Sequence, residues 1–329
     1  SYKAMGLNVK GVDAKDEFYA ALDGLTEPEA KRKAIGKVFI DVFDEEAHKI
    51  ENVKWLGQGT IYPDTIESGG TQTSVTIKTH HNRVPRIVRM IKQGRVTEPL
   101  KDFYKDEVRA IGTQLGLPKS LLWRHPFPGP GLGIMILCSQ KNLRVPRVRG
   151  LPKNSQILPI KSTGVQGDNR TYAFPVAVWS TTRFETLERQ ATRIANTHPD
   201  INRVVKVCWT RNGPSARKAF THTPGLFLTK DRLDLLREIH AAVNTIIRAA
   251  QLYDHIWEFP IILIPVGLKK NGQSIVLRPY NSTDTMTANP FYLPARVLKK
   301  IITTIAHHQE IDAVFYDVTT KPPATMQWE

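Results

Sequence analysis

The sequence predicts a two-part α/β chain: an N-terminal α/β portion, then an α+β platform in which a β-β-α-β unit occurs twice. Three observations point there. In the first third, apolar stripes at helical spacing alternate with short strand-like runs. From Gln156 onward, two stretches repeat the same order of elements. A length of 329 residues suits about two domains, each able to bury a core.

Taken in order, Leu7 to Asp13 reads as a short strand and its exit. A helix is expected from Thr26, where Thr26 and Glu29 have capping-box spacing and Pro28 sits in the first turn. Ile35, Val38, Phe39, Val42 and Phe43 recur at helical spacing and predict its buried stripe. Asn52 to Gly57 returns to strand character and runs into a loop with Gly57, Gly59, Pro63, Gly69 and Gly70. A second helix is expected over Asp102 to Leu115, with Val108, Ile111 and Leu115 inward and Gly116 and Pro118 ending it. His125 to Gly133 holds too many prolines for a ladder or a helix interior and predicts a stiff loop.

The first platform copy reads as Leu158-Pro159-Ile160, a loop Gly164 to Asp168, a strand Tyr172–Trp179, a helix Phe184–Ala195 and a strand Ile201–Trp209. The second reads as Ile264-Pro265-Val266, a loop through Gly272-Gln273, a strand Ser274–Leu277, a helix Pro294–Ala306 and a strand Ile311–Val318. Asp168 and Gln273 occupy matching loop positions, each directly after a glycine. A long helix over Asp231–Leu252 joins the copies, with Leu236, Ile239, Val243, Ile246, Ile247 and Ala250 predicted inward.

Lys and Arg number 46 against 31 Asp and Glu, a net charge of +15. Glu107 and Asp168 enclose a stretch with no acidic residue and nine Lys or Arg; Ile201 to Lys230 is a second acid-free block. Such blocks suit an anionic partner, whether nucleic acid, a membrane surface or phosphorylated small molecules, or else form a solvated basic face. The apolar runs are too short for a membrane-spanning helix, and Ser1-Tyr2-Lys3-Ala4 has no signal-peptide character. Cys138 and Cys208 are too few for a disulfide framework or a zinc site and fit a reducing interior, so a cytoplasmic location is expected.

Three places can carry chemistry. Asp64 and Glu67, three residues apart, suit Mg²⁺ or proton uptake, and Lys78, His80 and His81 suit neutralising phosphate charge. The alternative is an exposed polar loop. Lys101 and Lys105, four apart at an expected helix start, are placed to hold an anion between them, or are snorkelling surface lysines. The stretch Lys321-Pro322-Pro323-Ala324-Thr325-Met326-Gln327-Trp328-Glu329 reads as a stiffened tail docked in a site, or as an inert end. No SGGxDS, Walker A or GxGxxG loop is present.

Gly57-Gln58-Gly59-Thr60-Ile61-Tyr62-Pro63-Asp64, Lys78-Thr79-His80-His81-Asn82, His125 to Leu132, Gly164 to Asp168 and Lys321 to Glu329 together closely resemble the GMP synthase family, in its eukaryotic type. The resemblance implies part of an adenine nucleotide alpha hydrolase-like (ATP pyrophosphatase) domain over 1–135, then XMP-binding dimerisation subdomains over 136–256 and 257–329. It implies ATP with Mg²⁺, XMP, and ammonia from a glutaminase domain not represented here. ATP adenylates O2 of the xanthine ring with loss of pyrophosphate, and ammonia displaces AMP to give GMP. By the same likeness, Asp64, Glu67, Lys78, His80 and His81 belong to a lid over the adenylated intermediate. Lys101 and Lys105 bind phosphate and assist adenylation. Asp168, Gln273, Lys321 and Glu329 belong to the XMP site, with a homodimer formed through the C-terminal region. The pyrophosphate-cradling loop of the family is missing from these residues, so the sequence reads as a fragment or as joined segments, the second suggested by the short, basic Leu137 to Gln156. Residues 1–329 alone are therefore expected not to form adenyl-XMP. Another ATP pyrophosphatase, such as an NAD synthetase or argininosuccinate synthetase relative, would lack the Lys321–Glu329 stretch. A membrane partner is not expected. Neither is nucleic acid, for which the basic-aromatic interleaving is missing.

Overall fold

Proline and glycine set the first element boundaries. The computed structural model describes residues 2–52, 54–62, 64, 85–139, 143–166, 169–213, 220–283 and 286–329. Helix α1 spans Lys15–Leu22 and α2 spans Pro28–His48. Pro28 fixes the first helical turn and pushes the preceding residue into extended backbone. Glu27 (φ −83°, ψ 130°) is therefore the N-cap, without a side-chain bond, and the capping box expected from Thr26 and Glu29 does not form. Val38 on the predicted α2 stripe is buried, but Phe39 and Phe43 are about half exposed and stack on each other, ring centroids 6.5 Å apart. Only the first half of α2 reaches the described core. Residues 7–13 form no strand, because no described strand pairs with them.

Strand β1 (Leu56–Gly57) pairs in parallel with β2 (Val96–Thr97) after helix α3 (Pro85–Lys92). Helices α4 (Lys105–Gln114) and α5 (Lys119–Leu122) follow. The start of α4 falls later than predicted because the Glu107 carboxylate accepts the Tyr104 N–H at 2.7 Å. Gly116, at φ +74°, ends it as expected. That turn carries Leu115 off the inward face, leaving it 74% exposed. The Pro-rich loop closes in a single 3₁₀ turn, Gly131–Ile134.

The remainder is a mixed α/β platform. Its strands are β3 (Ser155–Ile157), β4 (Ser162–Gln166), β5 (Asn169–Val178), β6 (Ile201–Thr210), β7 (Thr221–His222), β8 (Ile261–Ile264), β9 (Val266–Gly267), β10 (Gln273–Leu277), β11 (Tyr280–Asn281), β12 (Asn289–Pro290) and β13 (Ile311–Asp317). Its helices are α6 (Phe184–Thr197), α7 (Lys230–Ala249) and α8 (Ala295–Ala306). The main sheet runs β3-β5-β6-β13-β10-β8, with β4 on β5. The pairs β5/β6 and β10/β13 are parallel; β6/β13, β3/β5 and β10/β8 are antiparallel.

Period-2 geometry divides the strand residues between two cores. Val176, Val178, Val204, Ile275, Leu277, Val314 and Tyr316 face the helices, where Leu236, Ile239, Val243 and Ile247 of α7 are buried as predicted. Ala177, Val205, Ile262, Ile264, Val276, Ala313 and Phe315 face the other way, under Leu158, Ile160, Phe220 and Trp328. The chain's last segment is thus the lid of a core rather than a frayed end.

Backbone approach is closest where β9 meets the start of β10. A Cβ on Gly267 would lie 2.5 Å from the Gly272 carbonyl carbon. Gly267→Ala must force two backbone segments apart, at a cost of about 1–3 kcal/mol. The denaturation midpoint should fall accordingly; an unchanged midpoint would show that this contact yields freely.

Candidate active site

Three charged residues occur at inward phases of apolar strands or just beyond them, and they build the seat of the tail. Arg203 on β6, Arg278 just past β10 and Asp317 at the end of β13 are all buried. Asp317 Oδ2 accepts from Arg203 Nη1 at 2.9 Å, from Arg278 Nη1 at 2.8 Å and from Trp328 Nε1 at 2.9 Å. Burial pushes the Asp317 carboxyl up, but Arg278 and Arg203 outweigh it and hold the group below the usual carboxylate range. Other guanidinium donors take carbonyls of the tail and, through Arg203 Nη2, the Thr163 carbonyl of β4. Arg203 Nη2 reaches Thr325 O at 3.0 Å and Gln327 O at 2.7 Å; Arg278 Nε reaches Met326 O at 3.0 Å. The hairpin strand β4 adds two ladder-like bonds, Thr163 N–H to Trp328 O and Val165 N–H to Pro323 O, each 2.8 Å.

At the tail's tip, Glu329 is buried against α2. Its carboxylate pairs with Lys31, and its backbone carbonyl accepts from Arg32. Burial pushes the Glu329 carboxyl up to about 7, with Lys31, Arg32 and Arg232 pulling the other way. Arg232, from α7, donates to Gln273 Oε1 at 2.9 Å and to Leu137 O at 3.0 Å. Gln273 and Glu329, far apart in sequence, therefore border the same guanidinium. The β4–β5 hairpin approaches from the other side, where Arg170 pairs with Glu29 of α2 at 2.5 Å.

Lys105 opens α4 beside Glu258, which holds Gln327 of the tail. Its Nζ lies 5.0 Å from the Trp257 ring centre, and Arg109 stacks on Trp123 at 4.7 Å. Burial, then Arg109, push the Lys105 ammonium below the usual lysine range, against the pull of Glu258. Glu258 is itself tied to the tail, accepting from Gln327 Nε2 at 2.7 Å and from the Tyr280 hydroxyl. Beside this group opens a cleft of about 630 Å³, walled by Arg109, Trp123, Arg124, His125 and Trp257.

The structure treats the sequence-predicted residues unequally. Gln273 and Glu329 border Arg232, and Lys105 lies beside Glu258, the partner of Gln327. Lys321 lies at the root of that tail, its N–H bonded to Ala288 O at 2.8 Å. Lys101 sits in the turn before α4 rather than on it, so it shares no helix face with Lys105; the Glu107 bond to Tyr104 delays the helix past it. Asp64 Oδ2 accepts the Ile61 N–H at 3.1 Å, and the neighbouring Tyr62 ring packs against Tyr104 at 5.1 Å, which places this turn beside the start of α4. Glu67, Lys78, His80, His81 and Asp168 lie outside the described residues. Sequence reasoning passed over Lys31, Arg32, Arg203, Arg232, Glu258, Arg278 and Asp317. Their signal was present: a charge at the inward phase of an apolar run needs a partner.

The model of the GMP synthase C-terminal domain matches residues 245–328. A probable glutamine-hydrolyzing GMP synthase of Leptospira interrogans is 44% identical over 329 residues, covering 96% of this chain and 54% of the relative. The Cytophaga hutchinsonii GMP synthase is 36% identical, covering 100% of the chain and 49% of the relative. That of Bdellovibrio bacteriovorus is 46% identical over 62% of the chain and 46% of the relative. The chain spans about half the length of the curated relatives it matches. The chain is thus similar along nearly its whole length to GMP synthases of Leptospira and Cytophaga, and residues 245–328 match the C-terminal domain of that family.

Proposed function

We propose that this chain carries the XMP-binding and amination half of a glutamine-dependent GMP synthase, a carbon–nitrogen ligase of purine nucleotide synthesis. The observation that carries the reading is the convergence on one tail, residues 319–329, of α2, the β4–β5 hairpin, Gln273 and the Lys105 region. In the reaction, XMP is adenylated at O2 by ATP and pyrophosphate departs; ammonia released from glutamine then displaces AMP. Lys101 and Lys105 supply positive charge to the departing phosphates. Asp64, Glu67, Lys78, His80 and His81 form the lid. Asp168, Gln273, Lys321 and Glu329 make up the XMP site, with Lys321 toward its phosphate and the buried Glu329 acting through the tail it anchors. The +15 charge then answers to polyanionic substrates.

Mg²⁺ enters this reading on the ATP phosphates; among the described residues no three His, Cys, Asp or Glu side chains gather as its ligands. The division into an ATP pyrophosphatase portion over 1–135 and dimerisation subdomains over 136–256 and 257–329 is part of the proposal. So are the homodimer and the cytoplasmic location. The order β3-β5-β6-β13-β10-β8 supports the duplicated unit, since each half contributes one antiparallel and one parallel pair about the antiparallel β6/β13 centre. Among the described residues no helix is long and apolar enough to cross a membrane.

The test uses the full-length protein that contains this chain. Lys105→Leu is expected to slow XMP-dependent ATP–pyrophosphate exchange by about a hundredfold, the scale of losing one transition-state charge contact. XMP affinity, measured by calorimetry, should survive. Unchanged exchange overturns the role of Lys105; no XMP binding by the parent protein overturns the reading as a whole.

A further inference from the structure

We propose that the buried Lys31–Glu329 pair is a latch that sets the position of the whole tail against α2, making Lys31 a positioning residue for the XMP site. Lys31 is fully buried on the first turn of α2 and joins that helix to two separate segments. Its Nζ donates to Gly133 O at 3.1 Å and to Ile136 O at 2.9 Å, and it pairs with the Glu329 carboxylate. Arg32 takes the backbone carbonyl of Glu329 from the same turn. The helix is held close to the segment it serves: a Cβ on Gly133 would come within 2.9 Å of Ile35 Cδ1. The exit of the Pro-rich loop, the helix and the tail therefore meet at one ammonium.

Burial removes Glu329 from direct ligand contact in this arrangement; its side chain is 1% exposed. Its effect on a ligand runs through the residues it holds in register. Two residues back, Gln327 reaches Glu258, which lies under the influence of Lys105. Eight residues back, Lys321 meets Ala288. A buried ion pair of this kind adds little net stability compared with apolar packing but specifies one register, because any shift of the tail leaves two charges unpaired. The Arg203–Arg278–Asp317 cluster holds the middle of the tail, and Lys31 decides where it ends.

The consequence for XMP rests on the function proposed above; the consequence for the tail does not. In the full-length protein, Lys31→Met and the milder Glu329→Gln are compared with the parent. Hydrogen exchange at the Thr163 and Val165 amides, which bond the tail, is expected to quicken by about tenfold or more in both, while β6 amides keep their rates. XMP affinity should weaken by about tenfold in Lys31→Met with ATP affinity held within about twofold. The double variant Lys31→Met/Glu329→Leu restores apolar packing without charge; it should recover stability but not the tail's protection. Parental exchange and XMP affinity in both single variants would overturn the latch. A double variant that regains full tail protection would also overturn it, since packing alone would then suffice. If the parent itself fails to bind XMP, the functional reading falls while the exchange data still decide the latch.

Discussion

Asp317→Ala should destabilise the fold by about 3–5 kcal/mol and release the tail, the cost of leaving buried charges without their counter-ion. The single carboxylate oxygen Oδ2 takes Arg203, Arg278 and the Trp328 indole, and Oδ1 takes the Thr319 N–H at 3.0 Å. Removing it leaves two guanidiniums facing each other with no anion between them. Trp328, fully buried on the second face of the sheet, loses its only side-chain acceptor among those described. Chemical denaturation gives the energy, and limited proteolysis near Thr325–Glu329 reports the tail. A loss below about 1 kcal/mol with the tail still protected would show that the cluster is not what seats it. Asp317→Asn should fall between: it keeps the shape and some hydrogen bonds but lacks the charge.

The second large effect is a cancellation in acid. Glu329 has its pKa raised from 4.5 to about 7 in the folded protein, so the native state holds that proton more tightly than the unfolded chain does. Its contribution favours folding fully below pH 4.5 and is lost as pH rises toward about 7. His240, half-buried on α7 near Phe127, runs the other way: desolvation lowers its pKa from 6.5 to about 4. Its contribution is complete above pH 6.5 and disappears as pH falls to about 4. Each amounts to roughly 3 kcal/mol, at about 1.4 kcal/mol per pH unit. Across pH 4.5–6.5 the parent should therefore show a shallow profile. Glu329→Gln removes one side of the balance and should lose stability steadily on acidification. His240→Leu removes the other and should gain stability over the same range. Parallel profiles for all three proteins, measured by denaturant midpoints across this range, would refute the opposition. The groups facing Glu329 are Lys31 and Arg32 from α2, Arg232 from α7 and Cys138 beside Lys31, so the slope belongs to this cluster rather than to surface carboxylates.

Particular elements show what could be read in advance. Strands β6, β10 and β13, and helices α6, α7 and α8, matched their predicted spans to within a few residues, because long apolar periodicity leaves few alternatives. Gly116 ended α4 as its left-handed backbone requires. The failures were local. Thr26 has the right chemistry for a cap, but Pro28 shifts the boundary by one residue. Phe39 and Phe43 have the right spacing for a core, yet the described fold leaves them about half exposed. Lys101 and Lys105 have the right separation for one helix face, but a single Glu107 bond starts the helix between them.

The candidate site divides the same way. The tail, its prolines and its Trp-Glu end stood out from residue order alone. Which charge serves which partner did not. Lys31 with Glu329, Arg203 and Arg278 with Asp317, and Arg232 with Gln273 join residues separated by dozens to hundreds of positions, and no periodicity carries that information. By itself, the sequence determined the order of the long platform elements, the inward face of α7 and the likeness to GMP synthases. Only the tertiary structure decided where the tail docks, because that depends on where buried charges find counter-ions once the sheet has closed, and a charge inside an apolar core is tolerated only where its partner arrives.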